Sequence, residues 1–141
     1  MRYKAGWFIP QQIMALTHYV PVATPEDFAG ITEATNACLR EARQPFHLII
    51  DNRMIESTQV IGLDDILGAM PQLRDSQLRW IIIVPSSGMR GDLTGLHPQQ
   101  TGDIRLQYAE DIEAALDTLR AADSSIKWEL QARDFFAKVP V

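Results

Sequence analysis

Two kinds of apolar pattern alternate along this chain. Phe46-His47-Leu48-Ile49-Ile50 is an unbroken run that stops at Asp51, and Trp80-Ile81-Ile82-Ile83-Val84 stops at Pro85-Ser86-Ser87-Gly88. Short β-branched runs bounded by turn residues predict strands buried on both faces, as in the middle of a parallel sheet covered by helices. Ahead of the first run, Phe28, Ile31, Thr35, Cys38, Leu39 and Ala42 recur at helical spacing and give one apolar face through to about Arg43. Thr24-Pro25-Glu26-Asp27 supplies its start: Thr24 caps, Pro25 fits the first helical position, and Asp27 sits where a capping-box acid is favourable.

The remaining pattern completes a fold. Tyr3 to Ile9 and Ile13 to Val20 read as two extended segments joined by Pro10-Gln11-Gln12, an antiparallel hairpin. Leu63, Ile66, Leu67, Met70 and Leu73 outline a second helix disturbed at Pro71, and Leu78 to Val84 makes the next strand. Pro85 to Asp103 reads as a long loop, rich in Gly, Pro, Ser, Thr and Gln. Ile104 to Tyr108 is a short strand, and Ile112, Ala115, Leu116 and Leu119 define a last amphipathic helix behind Glu110 and Asp111, acids that suit its positive end. These elements predict an α/β fold: a mixed, largely parallel sheet with an N-terminal antiparallel hairpin and flanking helices. One domain spans 1–123, and 124–141 is a C-terminal extension packed on the core or on a partner. In that extension Ile126, Trp128 and Leu130 alternate as in a strand, while Leu130 and Phe135-Phe136 also suit a helix.

Composition narrows the function classes. The 141 residues suit one domain, and 46% hydrophobic residues supply one substantial core. Thirteen basic against 18 acidic residues give a formal net charge of -5, so nothing attracts a polyanion, and nucleic acid is not an expected partner. Cys38 is the single cysteine, which excludes a disulfide framework and a cysteine-rich metal site and suits a reducing cytoplasm. Met1 to Trp7 lacks a secretion signal, and no stretch approaches membrane-spanning length, so a soluble chain without a transmembrane segment is expected.

The order hairpin, helix, strand, helix, strand, loop, strand, helix resembles the SpoIIAA-like domains, relatives of STAS domains and anti-sigma-factor antagonists. The resemblance covers Tyr3 to Ala122. It is carried by Val20-Pro21-Val22-Ala23-Thr24-Pro25-Glu26-Asp27-Phe28, Leu48-Ile49-Ile50-Asp51, Trp80-Ile81-Ile82-Ile83-Val84, and Tyr108-Ala109-Glu110-Asp111-Ile112-Glu113-Ala114-Ala115-Leu116, in that order. It implies a domain without enzymatic activity or cofactor that binds a protein partner or an apolar, lipid-like ligand, with a related fold in CRAL-TRIO lipid-transfer domains. A cytoplasmic location follows, with peripheral membrane contact for a lipid binder. Anti-sigma-factor antagonists carry an Asp-Ser-Ser-Gly-type motif after the central strand; here Ile55-Glu56-Ser57-Thr58-Gln59-Val60-Ile61-Gly62 lacks the adjacent glycine. Ser57 and Thr58 are the candidate phosphorylation positions, since a phosphate at a helix start would meet the positive dipole end. An ordinary helix cap is the competing reading.

In open α/β sheets ligands collect beyond the carboxyl ends of the strands. That places Asp51, Asn52 and Arg53 near Ser86, Ser87 and Arg90 as a polar mouth, with Met54, Ile55, Met89 and Leu93 as apolar wall residues. The plainer alternative is that Asp51 and the serines satisfy loop amides. Catalytic signatures are missing. His18, His47 and His97 have no metal-ligand spacing, and Cys38 falls on an apolar helix face. Ser86-Ser87-Gly88 lacks the Gly-x-Ser-x-Gly elbow of a hydrolase, and Gly88, Gly91 and Gly95 are followed by no Gly-Lys-Ser/Thr element. The expectation is therefore a non-catalytic binding domain for a small apolar or amphipathic ligand. A STAS-type interaction module is the alternative, and the hairpin edge or the Trp128-to-Phe136 segment would serve a homodimer.

Overall fold

A computed structural model of the chain describes residues 1–57, 59–86 and 96–138. Six strands form one mixed sheet in the order β1-β2-β3-β4-β6-β5. The strands are β1 Tyr3–Ile9, β2 Ile13–His18, β3 Phe46–Asp51, β4 Leu78–Val84, β5 Gln99–Thr101 and β6 Ile104–Tyr108. β2, β3, β4 and β6 run parallel, and β1 and β5 pair antiparallel at the two edges. The helices are α1 Pro25–Glu41, α2 Leu63–Ala69 and α3 Ile112–Ala122.

The unbroken apolar runs are explained by two-sided burial. All six residues of β3 are buried, and its alternate side chains feed two separate cores. Leu48 and Ile50 join Ile81, Ile83 and Leu106 under α1 and α2. Ile49 joins Ile82, Val84 and Ala15 under α3 and the C-terminal segment. The crossovers β2-α1-β3 and β3-α2-β4 step in one direction across the sheet, so connections of one handedness put both helices on the same face. The other face is left to α3.

The first helix starts as its sequence predicts. Asp27 N donates to Thr24 Oγ1 at 3.1 Å and Thr24 N donates to Asp27 Oδ2 at 3.0 Å, a complete capping box. Arg2 Nε adds bonds of 3.0 Å to both carboxylate oxygens of Asp27. Asp27 is thereby the buried residue of the first turn, and Phe28, expected on the apolar face, stands 45% exposed. Ile31, Thr35 and Cys38 form the buried stripe. At the far end the β1–β2 turn reaches across: Gln11 Nε2 donates to Glu41 O at 2.7 Å, and Arg43 N donates to Gln11 Oε1 at 2.8 Å.

Pro71 ends the second helix, and residues Pro71–Asp75 continue as a 3-10 turn that buries Leu73. The expected loop from Pro85 to Asp103 instead contains β5. Its turn into β6 is Gly102-Asp103, between the paired Thr101 and Ile104, and Gly102 carries φ +58°. A two-residue hairpin loop with positive φ at its first central position is the place for glycine. The C-terminal segment adopts neither expected element. One 3-10 turn, Trp128–Leu130, leads into an irregular stretch in which Ile126, Phe135 and Ala137 are buried against the sheet. Ala132 N donates to Phe8 O and Tyr19 Oη to Phe135 O, at 2.8 and 2.9 Å.

Replacing Thr24 by Ala removes half of the capping box while leaving the apolar stripe intact. Urea denaturation is expected to show a loss of about 1 kcal/mol, the usual worth of such a cap. An unchanged midpoint would mean that Arg2 and Asp27 hold the helix start without it.

Candidate functional site

β3 ends at a buried carboxylate. Asp51 is 1% exposed and receives four hydrogen bonds. Thr17 Oγ1 of β2 donates to its Oδ2 at 2.8 Å. Arg53 folds back so that its backbone N, at 3.1 Å, and its Nε, at 2.9 Å, meet Oδ1, while Nη2 meets Oδ2 at 2.9 Å. The same Nη2 donates to Ala137 O at 2.7 Å, and Ala137 N donates to Thr17 Oγ1 at 3.0 Å. The C-terminal segment is therefore bolted to the sheet through one ion pair and one hydroxyl.

Strand alternation puts the next residue on the other side. Asp51 shares the face of Ile49, toward α3, whereas Asn52 follows Ile50 toward α1 and α2. There a cleft of about 310 Å³ opens beyond the carboxyl ends of β3, β4 and β6. Pro21, Val22 and Ala23, leading into α1, form one wall; Ile55, Val60 and Ile61, leading into α2, form another. Ile83, Pro85 and Leu96 supply apolar floor and flank, and Tyr108 closes the side at β6.

The polar groups of the cleft differ in how they are satisfied. Ser86 Oγ donates to Ser57 O, and Tyr108 Oη donates to Ile61 O at 2.6 Å. Gln99 links three elements: its Oε1 accepts Leu63 N at 2.8 Å, and its Nε2 lies 3.3 Å from Tyr108 Oη. Burial first, then the charge of Asp65, holds the Tyr108 hydroxyl above its usual range, against the opposing hydrogen bond from Gln99. Ser57 Oγ accepts Gln59 N at 3.0 Å. Asn52 uses its backbone N to reach Val84 O and its O to accept Ile55 N, both at 3.0 Å. Its carboxamide, in a residue only 8% exposed, makes no hydrogen bond among the described residues. Unpaired polar atoms that are shut off from solvent occur elsewhere, at His18 Nδ1, Thr32 Oγ1 and His47 Nδ1.

Of the residues expected to form one mouth, Asn52, Ile55 and Ser86 come together in the cleft, which Ser57, the candidate phosphorylation position, also lines, while Asp51 and Arg53 meet each other and the C-terminal segment. Met54 lies between these groups and is half-buried. Ser87, Met89, Arg90, Leu93 and Thr58 lie outside the described residues. Ser57 stands well before α2, which begins at Leu63 with Gly62 as its cap residue. Tyr108, Val60 and Ile61 were not singled out by the sequence, and only the parallel pairing of β4 with β6 brings Tyr108 to the cleft. Cys38 is buried, and burial, with Glu41 second, pushes its thiol up to about 11, so it is not a nucleophile near neutrality.

At the opposite end of the sheet His47 Nε2–H donates to Asp123 Oδ2 at 2.8 Å, joining β3 to the end of α3. Burial lowers the pKa of His47 against the opposing pull of Asp123, with Arg79 lowering it further. Burial also lowers that of His18, against Asp51 and Asp27. Scanned against protein-family models, curated proteins and solved structures, the chain matches none of them.

Arg53→Ala leaves the Asp51 charge unpaired and should cost about 3 kcal/mol in urea denaturation, with faster proteolysis of the C-terminal segment. The double change Asp51→Asn, Arg53→Met should recover most of that loss; no recovery would assign the cost to packing alone. Burial holds the pKa of both histidines in the fold below the 6.5 of the unfolded chain, so the unfolded state binds more protons as pH falls through 6.5. Stability should be full above pH 6.5 and decline below it, by up to about 1.4 kcal/mol per pH unit for each histidine. His18→Asn should flatten the decline in denaturation curves taken from pH 7.5 to 5.5.

Proposed function

We propose that this chain is a non-catalytic binding domain that takes a small apolar or amphipathic ligand in the cleft beyond β3, β4 and β6. The observation that carries the reading is the Asn52 carboxamide, in a buried residue and without a hydrogen-bond partner among the described residues, set among the apolar walls of Ala23, Ile55, Val60 and Ile61. Its polar atoms are not among those sealed from solvent, so a ligand in the cleft can reach them and supply a directional hydrogen bond. Ligand pockets typically hold roughly 300–1,000 Å³, and the cleft's volume of about 310 Å³ suits a molecule at the small end of that range. The resemblance to SpoIIAA-like domains agrees with this in both fold order and expected ligand class. Cytoplasmic residence with peripheral membrane contact belongs to the same proposal.

A STAS-type interaction role is the second reading, because Ser57 lies on the wall of the same cleft. A phosphate there would add charge beside Glu56 and close the cleft to an apolar guest. Binding and modification would then be alternatives.

Ala23 is exposed on the cleft wall, so Ala23→Trp should fill the cleft without disturbing the core. Medium-chain alcohols such as decanol are expected to raise the melting temperature of the parent protein and to leave the variant unmoved; a ligand at 100 times its Kd stabilises by about 2.7 kcal/mol. Equal shifts in both proteins, or none in either, would remove the cleft as the binding site.

A further inference from the structure

We infer that the cleft selects amphipaths whose head group donates hydrogen bonds and carries no negative charge, an amide or a protonated amine, and rejects carboxylates; this rests on the binding role proposed above. Glu56 is the one charged side chain among the described residues lining the cleft. The cation nearest in sequence, Arg53, is turned to the other face and held by Asp51 and Ala137 O.

The amides that could greet an anion are also occupied. Gly62 N donates to Asp65 Oδ2 at 2.8 Å and Leu63 N to Gln99 Oε1 at 2.8 Å, so the start of α2 offers neither of these donors. The hydroxyls of Ser86 and Tyr108 are spent on Ser57 O and Ile61 O. What remains among the described lining residues is the carboxamides of Asn52 and Gln59, each able both to donate and to accept, the Ser57 hydroxyl, whose Oγ accepts Gln59 N, and the Glu56 carboxylate, able only to accept. An amide head satisfies both faces of Asn52, and an ammonium head pairs with the Asn52 oxygen and with Glu56. A carboxylate meets neutral donors, no cation among the described lining residues, and a like charge at Glu56, an arrangement that costs affinity through both desolvation and repulsion.

The test is a series with one tail: octylamine, octanamide and octanoate, titrated at pH 7 into ¹⁵N-labelled protein and followed through the backbone amides of the cleft and the Asn52 side-chain NH₂. The amine and the amide are expected to bind at least about tenfold more tightly than octanoate, a difference of about 1.4 kcal/mol. Asn52→Ala should weaken octanamide by about tenfold, and Glu56→Gln, a change at an exposed position, should weaken octylamine and narrow its margin over octanoate. Octanoate binding as tightly as octanamide would overturn the head-group inference while leaving the cleft as a binding site. No shift of cleft signals with any of the three would overturn the binding role, and the inference with it.

Discussion

The carboxylate at the end of β3 is the constraint around which the rest of this structure is arranged. Asp51 is buried where four parallel strands end, and an isolated charge there would be prohibitive without partners. Its partners come from three separate parts of the chain: Thr17 from the neighbouring strand, Arg53 from the turn that follows, and, behind both, the backbone of Ala137. Such an ion pair adds little net stability compared with an apolar filling, but each partner is costly to remove alone. The pair therefore acts as a specifier. It fixes where β3 stops, which way the next turn folds, and where the C-terminal segment lies.

That placement determines what is left for function. With Asp51 and Arg53 committed to the α3 side, alternation delivers Asn52 to the opposite side, between the segments that lead into α1 and α2. Two segments lead away from the strand ends: 19–24 from β2 to the helix cap, and 52–57 from β3 toward the next helix. A backbone bond from Glu56 N to Pro21 O at 2.9 Å links the two segments. The cleft is the space beneath them, walled by the apolar side chains that the segments carry.

Much of the architecture was legible because each element had a local physical cause. β3 and β4 were visible as apolar runs, the start of α1 as a capping box, and the break at Pro71 as a missing donor. β5 was missed although its signal was present: Gly102-Asp103 between two extended residues is a hairpin turn, overshadowed by the surrounding loop-like composition. The C-terminal segment was not legible, since Phe135 and Ala137 are positioned by tertiary bonds to Thr17, Tyr19 and Arg53 and not by a period of their own. The site was legible only by location. Sequence placed it beyond the strand ends, but contiguity in Asp51-Asn52-Arg53 hid the fact that neighbours on a strand point to opposite faces.

The two ends of the sheet show why one depression is a better site than the other. At the amino ends of the parallel strands, a polar hollow of about 320 Å³ is lined by His47, Arg79, Trp80, Arg105 and Asp123. Its groups are largely paired: His47 with Asp123, and Arg105 over the Trp80 ring at 5.5 Å. The unpaired Nδ1 of His47 is shut off from solvent, so an incoming molecule cannot reach it. At the carboxyl ends the balance is reversed. The walls are apolar, the Ser86 and Tyr108 hydroxyls are satisfied internally, and the Asn52 carboxamide has no partner among the described residues and is not among the atoms sealed from solvent. Apolar walls supply affinity without direction, and one accessible unpaired group supplies direction at little cost in affinity, which is the division of labour expected of a small-molecule site.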